Sequence, residues 1–341
     1  MIQTGIVGYG FSAQTFHLPL LQACERFNLH GISTRKTALL NEKHPKIETF
    51  RTPLELMHDP LIDLIVITSP NDSHYGLARQ SLELGKHVIL EKPMVCSSEE
   101  GRILIALAKE KGLLLSVFHN RRWDGDFITA KKLLQDGLLG EVRYFESHFD
   151  RFRPRVRDRW RERPGAGAGM WYDLGAHLVD QALCLFGLPT ALTARILATR
   201  DQSQAQDYFH VLFHYENCEI ILHSSSYSAG PNCRFHIQGS RGSYIKYGLD
   251  PQEMQLKNGM SPDSQQFGKD NQAHFGTLYT ERTEERIATD PGSYLSYFEQ
   301  FADSIETGSA LPVTGAEGLQ VIRLIELAEK SSLEGRTIQI N

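Results

Sequence analysis

The chain has 341 residues, 41% of them hydrophobic and 23% charged, and a formal net charge of -5. That length exceeds one ordinary core and suits two domains, while the composition is that of a folded globular protein. The weakly acidic balance offers no general attraction to nucleic acid or to acidic membranes, which leaves small molecules as the expected partners.

From residue 2 to about 120, short apolar runs alternate with amphipathic segments. Ile6-Val7 precedes a helix over Gln14 to Cys24, and Leu29 to Ser33 reads as a second strand. Leu64 to Thr68 leads into a helix over Ser73 to Leu84, His87 to Leu90 into one over Ser98 to Lys111, and Leu113 to Phe118 follows as a strand. This βαβ rhythm predicts a doubly wound parallel sheet. Leu64-Ile65-Val66-Ile67 and Leu113-Leu114-Leu115 lack polar alternation, as strands covered on both faces do.

Beyond Asn120 the pattern changes. A helix-like stretch from Asp126 to Gln135 is followed by strand-like segments at Val142 to Phe149, Phe209 to Tyr215, Glu219 to Ser224 and Phe235 to Gly239, which predict a largely antiparallel sheet. Residues 248 to 290 are polar and turn-rich and read as an excursion. Two late helices, Tyr294 to Thr307 and Gly315 to Ser332, close the chain, the second capped by Thr314. The predicted fold class is therefore α/β, with a parallel-sheet domain over 1–120 and an α/β domain with a large, mostly antiparallel open sheet over 121–341. The final helices are free to pack back on the first domain.

Cys24, Cys96, Cys184, Cys218 and Cys233 are scattered without a Cys-x-x-Cys pair, a pattern of free thiols in a reducing cytoplasm. The opening run Ile2 to Gly10 is too short for a signal segment, and no stretch approaches the roughly 18 apolar residues of a membrane span. A cytoplasmic protein with no membrane or nucleic-acid partner is expected.

The first strand runs into Gly8-Tyr9-Gly10-Phe11-Ser12-Ala13. In such a turn Gly8 permits the tight bend, Gly10 lets a pyrophosphate approach the backbone, and Ala13 is small enough for close helix packing. The motif alone is weak; directly after the first strand of a βαβ series it is strong. At the end of the second strand an acidic residue would hold ribose hydroxyls and repel a 2'-phosphate. Ser33-Thr34-Arg35-Lys36 stands there instead, which favours NADP over NAD, although Arg35 and Lys36 also suit the start of a solvated helix.

Ser69-Pro70-Asn71, with His74 just beyond, and Glu91-Lys92-Pro93 follow the next two strands, at carboxyl ends where ligands bind in such sheets. Lys92 can donate a hydrogen bond to a substrate oxygen. Further on, the glycine-rich run from Gly165 to Gly169 opens into a helix carrying Asp173 and His177, four residues apart and expected on one face. A carboxylate beside an imidazole suits general acid-base work; a helical histidine is, in most proteins, structural.

Gly-x-Gly-x-x-Ala, Glu91-Lys92-Pro93 and Asp173-x-x-x-His177, in that order, resemble the Gfo/Idh/MocA oxidoreductases over essentially the whole chain. Segments such as Val117 to Asp124, Phe149 to Pro154, Asp158 to Glu162 and Gly292 to Leu295 look most like the NADP-dependent scyllo-inositol dehydrogenases of that family. The resemblance implies a Rossmann domain followed by an open-sheet domain that pairs subunits in homodimers or homotetramers. It implies Lys92, Asp173 and His177 as the catalytic set, acting on a secondary alcohol of a cyclic polyol or sugar. Asn120 and Trp160 join the expected cofactor surround, and Arg122, Trp123, Arg153 and Tyr172 the substrate pocket. Alternatives are an aldose or other keto-sugar substrate, or a dinucleotide-sensing regulator without catalysis. The arginines alternating from Arg151 to Arg163 are interrupted by acids, which weakens a nucleic-acid reading. No metal site is expected, because His177 and Asp180 lack closely spaced further ligands.

Overall fold

The computed structural model describes residues 1–340. In chain order the elements are β1 (Ile2–Val7), α1 (Leu18–Ala23), β2 (Phe27–Ser33), α2 (Thr37–Lys43), β3 (Glu48–Phe50), α3 (Pro53–His58), β4 (Leu64–Ile67), α4 (His74–Glu83), β5 (His87–Leu90), α5 (Ser98–Lys111) and β6 (Leu115–Val117). There follow α6 (Gly125–Gln135), β7 (Val142–His148), α7 (Ala176–Phe186), β8 (Ala191–Leu197), β9 (Tyr208–His214), β10 (Glu219–Ser225), β11 (Cys233–Gly239) and β12 (Ser243–Tyr247). The chain ends with α8 (Gln252–Lys257), β13 (Gly276–Tyr279), β14 (Glu284–Ile287), α9 (Leu295–Thr307), α10 (Gly315–Glu334) and β15 (Ile338–Gln339).

Two compact units result. The first comprises Met1–Asn120, Gln252–Phe267 and Ser293–Ile322, and the second Arg121–Pro251, Gly268–Gly292 and the chain from Arg323 onward. The first unit is built on a six-stranded sheet ordered β3-β2-β1-β4-β5-β6, every pair parallel. Ile65, Val66, Ile67, Val88, Ile89 and Leu90 are fully buried, each contributing roughly 1.5–3 kcal/mol of transfer free energy. Local signals agree with this packing. Thr52 and Glu55 form a reciprocal capping box at α3, Ser97 caps α5, and Gly112 ends it in the left-handed region at φ 66°. Thr314 caps α10 as expected, accepting from the Glu317 amide at 3.2 Å while Glu317 accepts from the Thr314 amide at 2.7 Å.

The second unit carries a nine-stranded sheet ordered β14-β13-β12-β11-β7-β10-β9-β8-β15. It is antiparallel except for β7 against β10. Its strands alternate: Phe209, Val211, Phe213, Ile220, Leu222 and Phe145 are fully buried, while Tyr208, His210, His223 and His148 point to the other, half-exposed face. Under α6, fully buried Arg234 reaches Ser147 Oγ and Gln181 Oε1, both at 2.6 Å, and Asp126 at 3.3 Å, with its guanidinium over the Phe149 and Phe235 rings. Burial pushes the Arg234 pKa down even so.

Two expectations change. Residues 248 to 290 are not a bare excursion, since they hold α8, β13 and β14, and Lys246 of β12 donates to Asp270 and the His274 carbonyl, both at 2.7 Å. The helix that carries Asp173 and His177 is not α-helical throughout. Trp171–Gly175 forms a π turn, and α7 begins only at Ala176. The cause is packing: the Trp171 indole lies over Gly175, where a Cβ would come within 2.1 Å of the ring, and its Nε1 donates to the Ile325 carbonyl at 3.2 Å. Gly175→Ala is therefore expected to destabilise the protein by about 1–3 kcal/mol through overpacking, read as a lower thermal midpoint. An unchanged midpoint would show that this π turn is not set by the indole.

Candidate active site

In the first unit, β1 ends at the glycine turn. Gly8 has φ +98°, a conformation that calls for glycine, and a Cβ on it would sit tightly against Thr68 Oγ1 at 3.0 Å. The Gly8 amide donates to the Ser33 carbonyl at 3.0 Å. A Cβ on Gly10 would meet nothing within 4 Å, leaving the backbone approachable there. Tyr9 and Ala13 are buried and Phe11 is exposed, so Tyr9 offers its backbone while its ring packs edge-on to His44. The following helix starts as a π turn, Ala13–His17. At the end of β2, Ser33 Oγ is buried with no hydrogen-bond partner among the described residues. Thr34 Oγ1 accepts from the Lys36 amide at 3.0 Å, and Arg35 and Lys36 are exposed. These features fit a dinucleotide phosphate on the turn, with a further anion near Ser33 and Arg35.

The ends of β4 and β5 are tied to that turn. Glu91, 9% exposed, accepts hydrogen bonds from Ser12 Oγ, from His17 Nε2 at 2.9 Å and from the Lys92 amide at 3.0 Å. Burial opposes its ionisation, but His17, Lys92 and Ser12 outweigh it and hold the carboxyl down at about 2. His74 is fully buried between the Pro93 carbonyl at 3.0 Å and the Ser69 carbonyl at 3.1 Å, and burial keeps its pKa low. It braces the loop of Ser69, Pro70 and Asn71 against that of Lys92. Asn120 is buried at the end of this unit.

In the second unit, Arg153, Arg161, Met170, Asp173 and Leu174 line one small cavity. Arg161 Nε stands 3.4 Å from Asp173 Oδ1, and its guanidinium lies over the Trp160 ring. Burial, together with Arg151, Arg157 and Arg159, lowers the Arg153 pKa to about 10. Arg151, Arg159 and Arg200 line the same cavity, so its five arginines outnumber the carboxylates of Glu162, Asp173 and Asp207 and make it electropositive. His177 is 6% exposed, with its ring edge-on to Phe149. Tyr172 is buried and its hydroxyl donates to Glu329 at 3.4 Å. The Arg122 guanidinium makes a two-pronged bond to buried Asp180, at 2.9 and 2.7 Å; Trp123, beside it, is half-buried. Sequence reasoning missed Arg161, Asp180 and His17. Arg161 carried a signal, as the neighbour of Trp160; the others act through contacts that spacing does not reveal.

Because the folded pKa of Glu91 lies below its unfolded value, the stability it contributes is complete above about pH 4.5 and is lost as pH falls toward 2. Glu91→Gln should then cost about 3 kcal/mol near neutral pH and flatten the acid limb of the stability curve. Equal acid limbs in denaturant titrations of the two proteins would contradict this assignment.

Comparison with known proteins agrees with this arrangement. Residues 2–119 match the model described as "Oxidoreductase family, NAD-binding Rossmann fold", and residues 131–340 its "C-terminal alpha/beta domain". An uncharacterized oxidoreductase of Escherichia coli, YdgJ, is 46% identical over 99% of this chain and 98% of its own. The scyllo-inositol 2-dehydrogenase (NADP(+)) IolW of Bacillus subtilis is 42% identical over 99% of this chain and 96% of its own. A solved structure of Bacillus subtilis yvaA superimposes with a TM-score of 0.97 at 42% identity, covering 100% of this chain and 98% of that one. The chain thus belongs to the Gfo/Idh/MocA family of oxidoreductases.

Proposed function

We propose that the protein is an NADP-dependent dehydrogenase of a secondary alcohol on a cyclic polyol or sugar, with scyllo-inositol and scyllo-inosose the preferred pair. The observation that carries the reading is the Glu91 network. It fastens the start of the glycine-turn helix, through Ser12 and His17, to the backbone amide of Lys92, so that the lysine is held beside the turn that would take the dinucleotide. The name of the IolW relative supports the substrate class. The missing carboxylate at Ser33-Thr34-Arg35-Lys36 supports NADP.

Gly8 to Ala13 would hold the diphosphate, and Ser33, Thr34 and Arg35 the ribose 2'-phosphate. When bound, NADP supplies the hydride acceptor for alcohol oxidation, or the donor in the reverse direction. Lys92 donates a hydrogen bond to the substrate oxygen and stabilises its negative charge as the hydroxyl proton leaves. His177 takes that proton, and an imidazole does so near neutral pH. Asp173 and Arg161, as an ion pair, fix polar groups for the remaining hydroxyls, with Arg153 beside them. Trp160, stacked under Arg161, and Tyr172 limit the room a substrate has.

Following NADP and NAD reduction against inositols and aldoses tests this. NADP with scyllo-inositol should give the highest kcat/KM, and Arg35→Ala should narrow the preference for NADP over NAD roughly tenfold, equivalent to about 1.4 kcal/mol. Lys92→Met and His177→Ala should each lower kcat by about 10²–10⁴ while NADP binding persists. An aldose as the best substrate would move the specificity within the family. Tight NADP binding with no turnover of any alcohol would favour a dinucleotide sensor, and unchanged turnover in both variants would remove the mechanism.

A further inference from the structure

The second unit places a histidine cluster on the half-exposed face of its sheet, away from α7. Strand register builds it: in the parallel pair β7–β10, His148 lies opposite His223, and in the antiparallel pair β10–β9, His223 lies opposite His210. Residues so placed are nearest neighbours on one face. The His148 and His223 rings are 4.8 Å apart, and Asp150, just past β7, reaches between them. Its Oδ2 is 2.9 Å from His148 Nδ1 and its Oδ1 3.5 Å from His223 Nε2.

We propose that His148, Asp150 and His223 bind a divalent transition-metal ion, with Zn²⁺ the ion that fits best. Each of the three offers a ligand atom, and these atoms lie within 4.8 Å of one another. A tetrahedral zinc centre with bonds of about 2.0–2.2 Å sets neighbouring ligand atoms about 3.3–3.6 Å apart. The separation of His223 Nε2 from Asp150 Oδ1, 3.5 Å, falls in that range, and that of His148 Nδ1 from Asp150 Oδ2, 2.9 Å, lies just below it, so the ion needs only a small adjustment of these side chains. Three protein ligands leave the fourth position for water.

The surroundings are those of a built site. A metal-bound imidazole generally directs its other nitrogen to a carboxylate or a similar acceptor. Here Glu146 Oε1 is 2.7 Å from His148 Nε2, and Glu146 is itself held by the Tyr144 hydroxyl at 2.9 Å. His223 Nδ1 faces His210 Nδ1 at 3.4 Å. The Ser225 amide donates to Asp150 Oδ1 at 2.8 Å, and the Asp150 amide donates to Asn232 Oδ1 at 2.7 Å. A second cluster, His30, Glu48 and Asp59, differs in that the Glu48 side chain is 57% exposed; it serves as the control. His177 packs against Phe149, whose side chain is buried on the opposite side of the strand from His148, so the ion joins β7 to β10 and takes no part in the proposed hydride chemistry.

The test uses the full chain, stripped with chelator, loaded with ZnCl₂, dialysed and analysed for metal content. Wild type and His30→Ala should each retain about one zinc per chain. His223→Ala and Asp150→Asn should retain less than a tenth of that, and zinc should raise the thermal midpoint only in the first two. His223→Asn, with its circular dichroism matched to wild type, separates metal loss from misfolding. Anomalous scattering at the zinc edge should locate the ion between His148 and His223. No retained zinc in wild type, equal retention in His223→Asn, or an anomalous peak at another site would overturn the proposal.

Discussion

The buried Glu91 carboxylate is the constraint on which the first unit's site depends. It lies at the carboxyl end of β5, and its two oxygens join the glycine-turn helix to the chain that turns away at Pro93. A buried charge of this kind is tolerated only because several donors converge on it. Those donors are Ser12, His17 and the Lys92 amide, contributed by the two segments that must keep a fixed relation if a dinucleotide and a lysine are to act together. His74 also spans the two loops, its ring nitrogens facing backbone carbonyls after β4 and β5. The rigidity of the site thus comes from side chains beneath it.

The second unit solves a similar problem with cations. Arg234 is fully buried and is tolerable because an acid, a hydroxyl, an amide and two aromatic faces surround it. Arg200 bonds to Asp207 and to the Arg153 and Arg155 carbonyls, which shapes the loop that carries the electropositive cavity around Asp173. The π turn at Trp171–Gly175 then sets where α7, with His177 as its second residue, begins. Such turns are frequent at functional sites because they re-aim side chains without ending the helix.

Much of the fold was legible because it follows from local periodicity. An unbroken apolar run marked β4 and a capping threonine marked α10, whereas of Leu113-Leu114-Leu115 only Leu115 enters a strand, β6 at the sheet edge, and Leu113 and Leu114 stay half-buried. The glycine turn was legible for the same reason, since Gly8 and Gly10 answer to backbone geometry. Other features depend on partners distant in sequence. Spacing offers Arg122 as a pocket residue but does not show that Asp180 holds it. Residues 248 to 290 read as an excursion until Lys246 is seen to hold Asp270. The π turn depends on an indole over a glycine, which an i, i+4 count does not contain. The histidine cluster was illegible because strand register, rather than spacing, assembles it.

The central claim is that Lys92 and His177 act on one substrate hydroxyl while NADP occupies the glycine turn. The most direct measurement is a crystal structure of the protein with NADP and scyllo-inositol bound together. The account predicts the diphosphate against the amides of Gly10 to Ala13, the 2'-phosphate against Ser33 and Arg35, and Lys92 Nζ and a His177 ring nitrogen within hydrogen-bonding reach of the same inositol oxygen. A ternary complex in which either side chain contacts no reacting hydroxyl would contradict it.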